Sequence, residues 1–279
     1  MTQTADEQLE ITRPSPAAAI RARLVVPMPS DRIRGWAGTV IVGAVAALLR
    51  MIDLGRPARL IFDETYYAKD ALSLLRFGYA RSFVDDADDR ILDGNLDVFT
   101  DEPSFVVHPP IGKWLIALGI RLLGMEPTGW RLATAVAGVV TVVVVTRAGR
   151  RLFRSTLLGC AAGLLLAVDG LSIAMSRTAL LDGILAMFII AAFACLLVDR
   201  DRVRSAYADW AAGRITADQA FGDGPVFGWR PWRLAAGVLL GLACATKWSG
   251  IYALAVFGVV TVLWEINARR AVGVRSPTL

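Results

Sequence analysis

Seven apolar blocks of 15 to 21 residues run through this chain, separated by polar stretches rich in arginine. Segments of that length match the hydrocarbon thickness of a bilayer when helical, so the chain must be read by counting spans before anything else. The blocks are 35–52, 111–125, 129–146, 157–173, 178–198, 232–246 and 248–264. With 55% hydrophobic and 20% charged residues and a mean hydropathy of +0.52, the chain is too apolar for a water-soluble enzyme. Its net charge of +5 comes from the arginine patches between apolar blocks, which reads as topology and not as nucleic-acid binding.

The positive-inside rule decides which blocks span. Arg147, Arg150, Arg151 and Arg154 belong inside, as do Arg200, Arg202, Arg204, Arg230 and Arg233. If 111–125 crossed, the first of these groups would be outside. That segment, which carries Lys113 and Arg121, is therefore laid on the outer surface as an interfacial helix. The other six blocks then alternate, and the expected fold is an all-α polytopic membrane bundle of about six transmembrane helices, with interfacial helices in the first outer loop, 53–128. Residues 1–34 are polar, Pro-bearing and aperiodic, without the apolar region of a cleavable signal peptide, and read as a disordered cytoplasmic tail. Residues 35–265 form the transmembrane catalytic part, and 266–279 a cytoplasmic end. Cys160, Cys195 and Cys244 lie in apolar runs with no metal-ligand spacing and read as packing residues.

With this topology Asp63, Glu64, His108, Lys113, Arg131, Asp169, Arg177, Asp182 and Lys247 fall on or near the outer face. Ionisable residues at membrane depth are costly and usually face a functional cavity. Asp63 and Glu64 precede an amphipathic pattern (Tyr66, Tyr67, Leu72, Leu74, Leu75, Phe77), so they either cap a helix or supply a general base and the carboxylate that orients it. His108, the sole histidine, precedes two prolines; it is either structural or, with Lys113 and Arg131, part of a cationic surface suited to a lipid phosphate. Snorkelling is the alternative for Lys113 and Arg131, and for Lys247, which also suits a phosphate. Arg177 and Asp182, with Asp169 as an ion-pair partner for Arg177, read as structural or supporting residues. The eight acids between Ser82 and Glu102 read as a solvated loop, since they lack the spacing of a calcium-binding loop; no cofactor is assigned and a divalent cation has no support from ligand spacing.

The segments FDETYYAKDA, VHPPIGKWL, WRLATAVAG, SRTALLDGIL and ATKWSGIY occur in the order and setting of the protein O-mannosyltransferases, and most resemble the actinobacterial members. The resemblance covers roughly residues 35 to 265. It implies a membrane glycosyltransferase of the GT-C type that moves mannose from polyprenyl phosphate mannose to Ser or Thr hydroxyls of proteins emerging outside the membrane, delivered by the secretion machinery. It carries the family's catalytic acidic pair onto Asp63 and Glu64. The related lipid-A aminoarabinose transferases have a Lys where this chain has His108. Family members continue with further membrane helices, so the resemblance also implies an N-terminal fragment that is inactive alone. Two other readings stay open: a sister GT-C transferase acting on a lipid or polysaccharide, and a secondary transporter.

Overall fold

The computed structural model describes residues 15–216 and 224–274. Helix α1 (Pro16–Leu24) is followed by α2 (Arg32–Met51) and, after a loop, by α3 (Glu64–Phe77), α4 (Ala87–Leu92) and α5 (Ile111–Leu123). A two-stranded antiparallel hairpin, β1 (Arg81–Phe83) with β2 (Phe99–Pro103), lies between them. Then come α6 (Pro127–Phe153), α7 (Thr156–Val168), α8 (Gly170–Ser176), α9 (Leu181–Thr216), α10 (Pro231–Cys244) and α11 (Gly250–Ala271). The chain is an all-α polytopic membrane protein.

Four of these helices, α2, α6, α9 and α11, are long and apolar enough to cross a bilayer. A fifth span results if α7 and α8, bent by 63° at Asp169, are taken together. The expected six are not reached by length, because α10 has 14 residues, a rise of about 21 Å. Its last turn gives way at Ala245, and the chain reverses through Lys247 and Ser249 into α11.

The bend at Asp169 leaves the terminal carbonyls of α7 without helical partners, which inside a membrane must be satisfied by protein. Arg50 of α2 does this. Fully buried, its guanidinium donates to the carbonyls of Leu166 and Ala167 and to the hydroxyls of Ser172 and Ser176. Close approach of α6 and α7 depends on small residues: a Cβ on Gly159 would lie 2.6 Å from the backbone nitrogen of Arg150.

Helix α1 corrects the reading of 1–34 as an unstructured tail, over the part that is described. Ser15 caps it, Pro16 starts it, and Leu24 is buried in a cluster with Val203, Tyr207 and Ala268. An Ala-rich segment with a cap and a leading proline forms a helix without an apolar stripe of its own. Residues 1–14 lie outside the described residues.

The arginine-bearing ends come together at one end of the bundle. Arg150 pairs with Asp31, Arg151 and Arg154 with Asp201, and Arg230 with Asp199 and Glu265. The opposite end carries α3, α5 and the hairpin, and there α5 packs along α3 and the start of α6.

Candidate active site

The first turn of α3 sends two adjacent carboxylates in different directions. Successive helical residues are about 100° apart, and of this pair Asp63 lines the cavity while Glu64 does not. Glu64 points inward and is wholly buried against the equally buried Arg131. Its Oε1 accepts from Arg131 Nε at 2.7 Å and from the Ala179 N–H at 2.9 Å, and its Oε2 from Arg131 Nη2 at 2.8 Å and the Ile61 N–H at 3.1 Å. Arg131 spends its remaining donors on the carbonyls of Leu54, Pro57 and Arg59. A guanidinium has five N–H donors, and all five are in use, which leaves none for a lipid phosphate. The expectation of a phosphate-binding Arg131 and a catalytic Glu64 is thereby corrected: the pair is the fastener of the 54–61 loop. It holds a turn in which Phe62 has a φ of +51°, a conformation costing a bulky residue on the order of 1–3 kcal/mol.

That turn delivers Asp63 to a cavity of 520 Å³, whose lining includes Tyr66, Tyr67, Asp70, Phe105, His108 and Lys113. Asp63 is half-buried and holds the N-cap position of α3, where its backbone carbonyl and not its side chain receives the N–H groups of Tyr66 and Tyr67. Burial, together with the negative charge of Asp63, pushes the Tyr67 pKa up to about 12. Tyr67 consequently keeps its hydroxyl proton near neutral pH, one helical turn from Asp63.

Both lysines reach the site already paired. Lys113 lies 2.7 Å from Asp70, and the two side chains are 3% and 9% exposed. Lys247 lies 2.7 Å and 3.0 Å from the two oxygens of Asp182, a more exposed pair that does not itself line the cavity. An ammonium removed from water needs such a counter-ion, so each lysine expected to meet a lipid phosphate stands in a neutral pair. Among the described residues Asp63 is then the one cavity carboxylate with no cation partner. His108 stands between the pairs. Burial first, then the charges of Lys247 and Lys113, hold its pKa below the ordinary value, and its Nδ1 is buried without a partner.

The loop carrying His108 is pinned from the far side of the bundle. Trp248 Nε1 donates to the Val107 carbonyl at 3.0 Å, and the Ile111 N–H to the Ala245 carbonyl at 3.0 Å. Gly112 permits this approach, since a Cβ there would meet Leu181 at 2.7 Å and Thr246 at 2.8 Å. The five sequence segments thus converge on one end of the bundle.

Two further expectations are corrected. Asp169 and Arg177 form no ion pair. Asp169 is exposed and caps α8 by accepting from the Ser172 N–H, whereas Arg177 donates to the carbonyls of Leu49, Arg50, Ile52 and Asp53 at the end of α2. Asp182 holds Lys247 and not Arg177. Sequence reasoning misses Asp70 as a site residue. Asp63, Tyr67 and Asp70 follow at i, i+4 and i+7, the spacing of one helical face, and that is the signal by which it could be found.

Residues 127–274 match a family model described as dolichyl-phosphate-mannose-protein mannosyltransferase. The chain is 44% identical over 286 residues to the polyprenol-phosphate-mannose--protein mannosyltransferase of Mycolicibacterium smegmatis strain MKD8, covering 99% of this chain and 50% of that protein. The protein of the same name from Mycobacterium tuberculosis strain H37Rv is 43% identical over 90% of this chain and 45% of its own length. Dolichyl-phosphate-mannose--protein mannosyltransferase 4 of Saccharomyces cerevisiae is 24% identical over 94% of this chain and 32% of its own length. The chain spans about half the length of the curated bacterial relatives it matches. The matched family region holds Arg131, Arg177, Asp182 and Lys247, while Asp63, His108 and Lys113 precede it.

Proposed function

The chain belongs to the dolichyl-phosphate-mannose-protein mannosyltransferase family, and from that premise we propose that it transfers mannose from a polyprenyl phosphate mannose to Ser or Thr hydroxyls of proteins, with Asp63 as general base. The observation that carries this reading is the Asp63 carboxylate, without an ion-pair partner among the described residues, lining the cavity with Tyr67 and the Lys113–Asp70 pair. The relatives' names supply the donor and the protein acceptor.

In this mechanism the acceptor hydroxyl attacks the anomeric carbon opposite the phosphate, and its proton passes to Asp63. The bond from that carbon to the phosphate oxygen breaks, its electron pair leaves with the polyprenyl phosphate, and the anomeric centre inverts. The leaving phosphate gains negative charge as the bond breaks. A cation beside it therefore stabilises the transition state more than the ground state. Lys247, in the more exposed pair with Asp182, fills that role, because its ammonium has three donors and can exchange a carboxylate oxygen for a phosphate oxygen. His108, held neutral at pH 7, offers an N–H to the same phosphate. Lys113 is too deeply buried with Asp70 to leave its partner and fixes the α3–α5 packing beneath the cavity.

The site end faces the extracytoplasmic side in this reading, since the opposite end gathers the arginines. Acceptors would then arrive from the secretion machinery. The test is to give radiolabelled polyprenyl phosphate mannose and a Thr-bearing peptide to membranes containing the chain joined to the C-terminal half of its Mycolicibacterium smegmatis relative, of which the chain alone spans about half. Label on the peptide is the expected result; label confined to lipid or polysaccharide would replace the protein acceptor by the sister transferase reading.

A further inference from the structure

A second polar pocket lies at the other end of the bundle. Arg200 and Arg204 stand 18 and 22 residues along α9 from Asp182, a rise of about 27 to 33 Å, which is the thickness of a bilayer. With Arg23, Asn267 and Trp264 they line a cavity of 170 Å³ floored by Leu24 and Ala268, roughly the space of five or six water molecules. Among the described residues no acidic side chain lines it.

The cations here are poorly compensated. Asp201, which adjoins Arg200 in sequence, is shared by Arg151, Arg154 and Arg200 at 2.7, 2.9 and 3.0 Å. Among the described residues neither Arg23 nor Arg204 has a carboxylate within salt-bridge distance; Arg204 makes one 3.4 Å bond to the Arg23 carbonyl at the end of α1. Arg200 lies over the Trp264 ring, 5.1 Å from its centroid. Three guanidiniums, an amide, a tryptophan face and an apolar floor form an arrangement that a phosphate completes: the anion accepts from the arginines, and its ester carbons rest on Trp264 and Leu24. This differs from the other arginine clusters at that end, where Asp199 and Glu265 neutralise Arg230 and Arg233.

We propose that this pocket binds a phosphate ester at the membrane face opposite the catalytic cavity, either a phospholipid headgroup or a soluble phosphate ester. Helix α1 closes one side of it, so binding also ties α1 to α9 and α11.

The test uses the full chain in detergent, titrated in one arm with a fluorescent phosphatidylglycerol and in the other with glycerol phosphate. Three variants are compared with wild type: Arg23→Gln/Arg204→Gln, Asn267→Asp, and Arg32→Gln/Arg34→Gln, which removes two exposed arginines at the same end but outside the pocket. Saturable binding is expected in at least one arm. Lipid alone identifies a headgroup as the source; any binding of glycerol phosphate identifies a soluble ester. Both pocket variants should bind roughly tenfold or more weakly, the effect of losing or opposing one charged hydrogen bond, while the Arg32/Arg34 variant stays near wild type. Asn267 is exposed, so its variant keeps the test valid if the arginine pair is needed for folding. No saturable binding in either arm, an unchanged affinity in Asn267→Asp, or an equal loss in the control variant would overturn the proposal.

Discussion

Glu64→Gln separates a fastening role from a chemical one. The glutamate is fully buried, accepts four hydrogen bonds, and is the counter-ion of an equally buried arginine. The amide keeps the volume but turns an NH2 toward two of the N–H groups that the carboxylate had accepted, and it leaves Arg131 without a balancing charge. Breaking a buried pair by removing one partner costs about 3–5 kcal/mol. In a chain of this size that is a fall in melting temperature on the order of 10 °C. Replacing both members with apolar residues would not restore stability, because the carbonyls of Leu54, Pro57 and Arg59 and the N–H groups of Ile61 and Ala179 would all be orphaned. The assay heats detergent-purified protein and measures the folded fraction by size exclusion. A Glu64→Gln protein that melts with wild type yet has lost mannosyl transfer would refute the fastening role and return Glu64 to the chemistry.

Tyr67→Phe removes a hydroxyl that lines the cavity with Asp63 while keeping the ring packed, so transfer should fall roughly tenfold with melting close to wild type; an unchanged rate would show the hydroxyl to be idle. The depressed pKa of His108 means the folded state takes up its proton less readily than the unfolded chain. Its stabilising contribution is complete above about pH 6.5 and is lost as pH falls through the folded pKa. His108→Gln should therefore flatten the melting-versus-pH curve below that point, and a curve parallel to wild type would deny the burial effect. A reporter fused after Met125 should be extracytoplasmic and one after Arg154 cytoplasmic; a cytoplasmic reporter at Met125 would reverse the placement of α5.

Helix positions and the convergence of five segments are legible in the sequence because both rest on apolar block length and arginine placement. The helix over 111–123 is likewise legible as an apolar block of its own. The direction of each charged side chain is less accessible. Adjacent acids at 63 and 64 look like a working pair, although only Asp63 lines the cavity and Glu64 is taken by Arg131. Arg131, Arg177 and Arg50 satisfy backbone carbonyls at loops and helix ends, and such partners are set by tertiary contact between segments far apart in sequence. The helix over 16–24 escapes a periodicity reading because it rests on capping and propensity, with hardly any apolar stripe to reveal it.

The central claim is that Asp63 is the base of a mannosyl transfer. In the chain joined to the same C-terminal half, Asp63→Asn is assayed in membranes for transfer of labelled mannose from polyprenyl phosphate mannose to a Thr-bearing peptide, and its melting is measured alongside. The account predicts transfer lowered by a factor on the order of 10² to 10⁴ with melting unchanged, since Asp63 has no ion pair to lose. Transfer at the wild-type rate by a normally folded Asp63→Asn protein would contradict it.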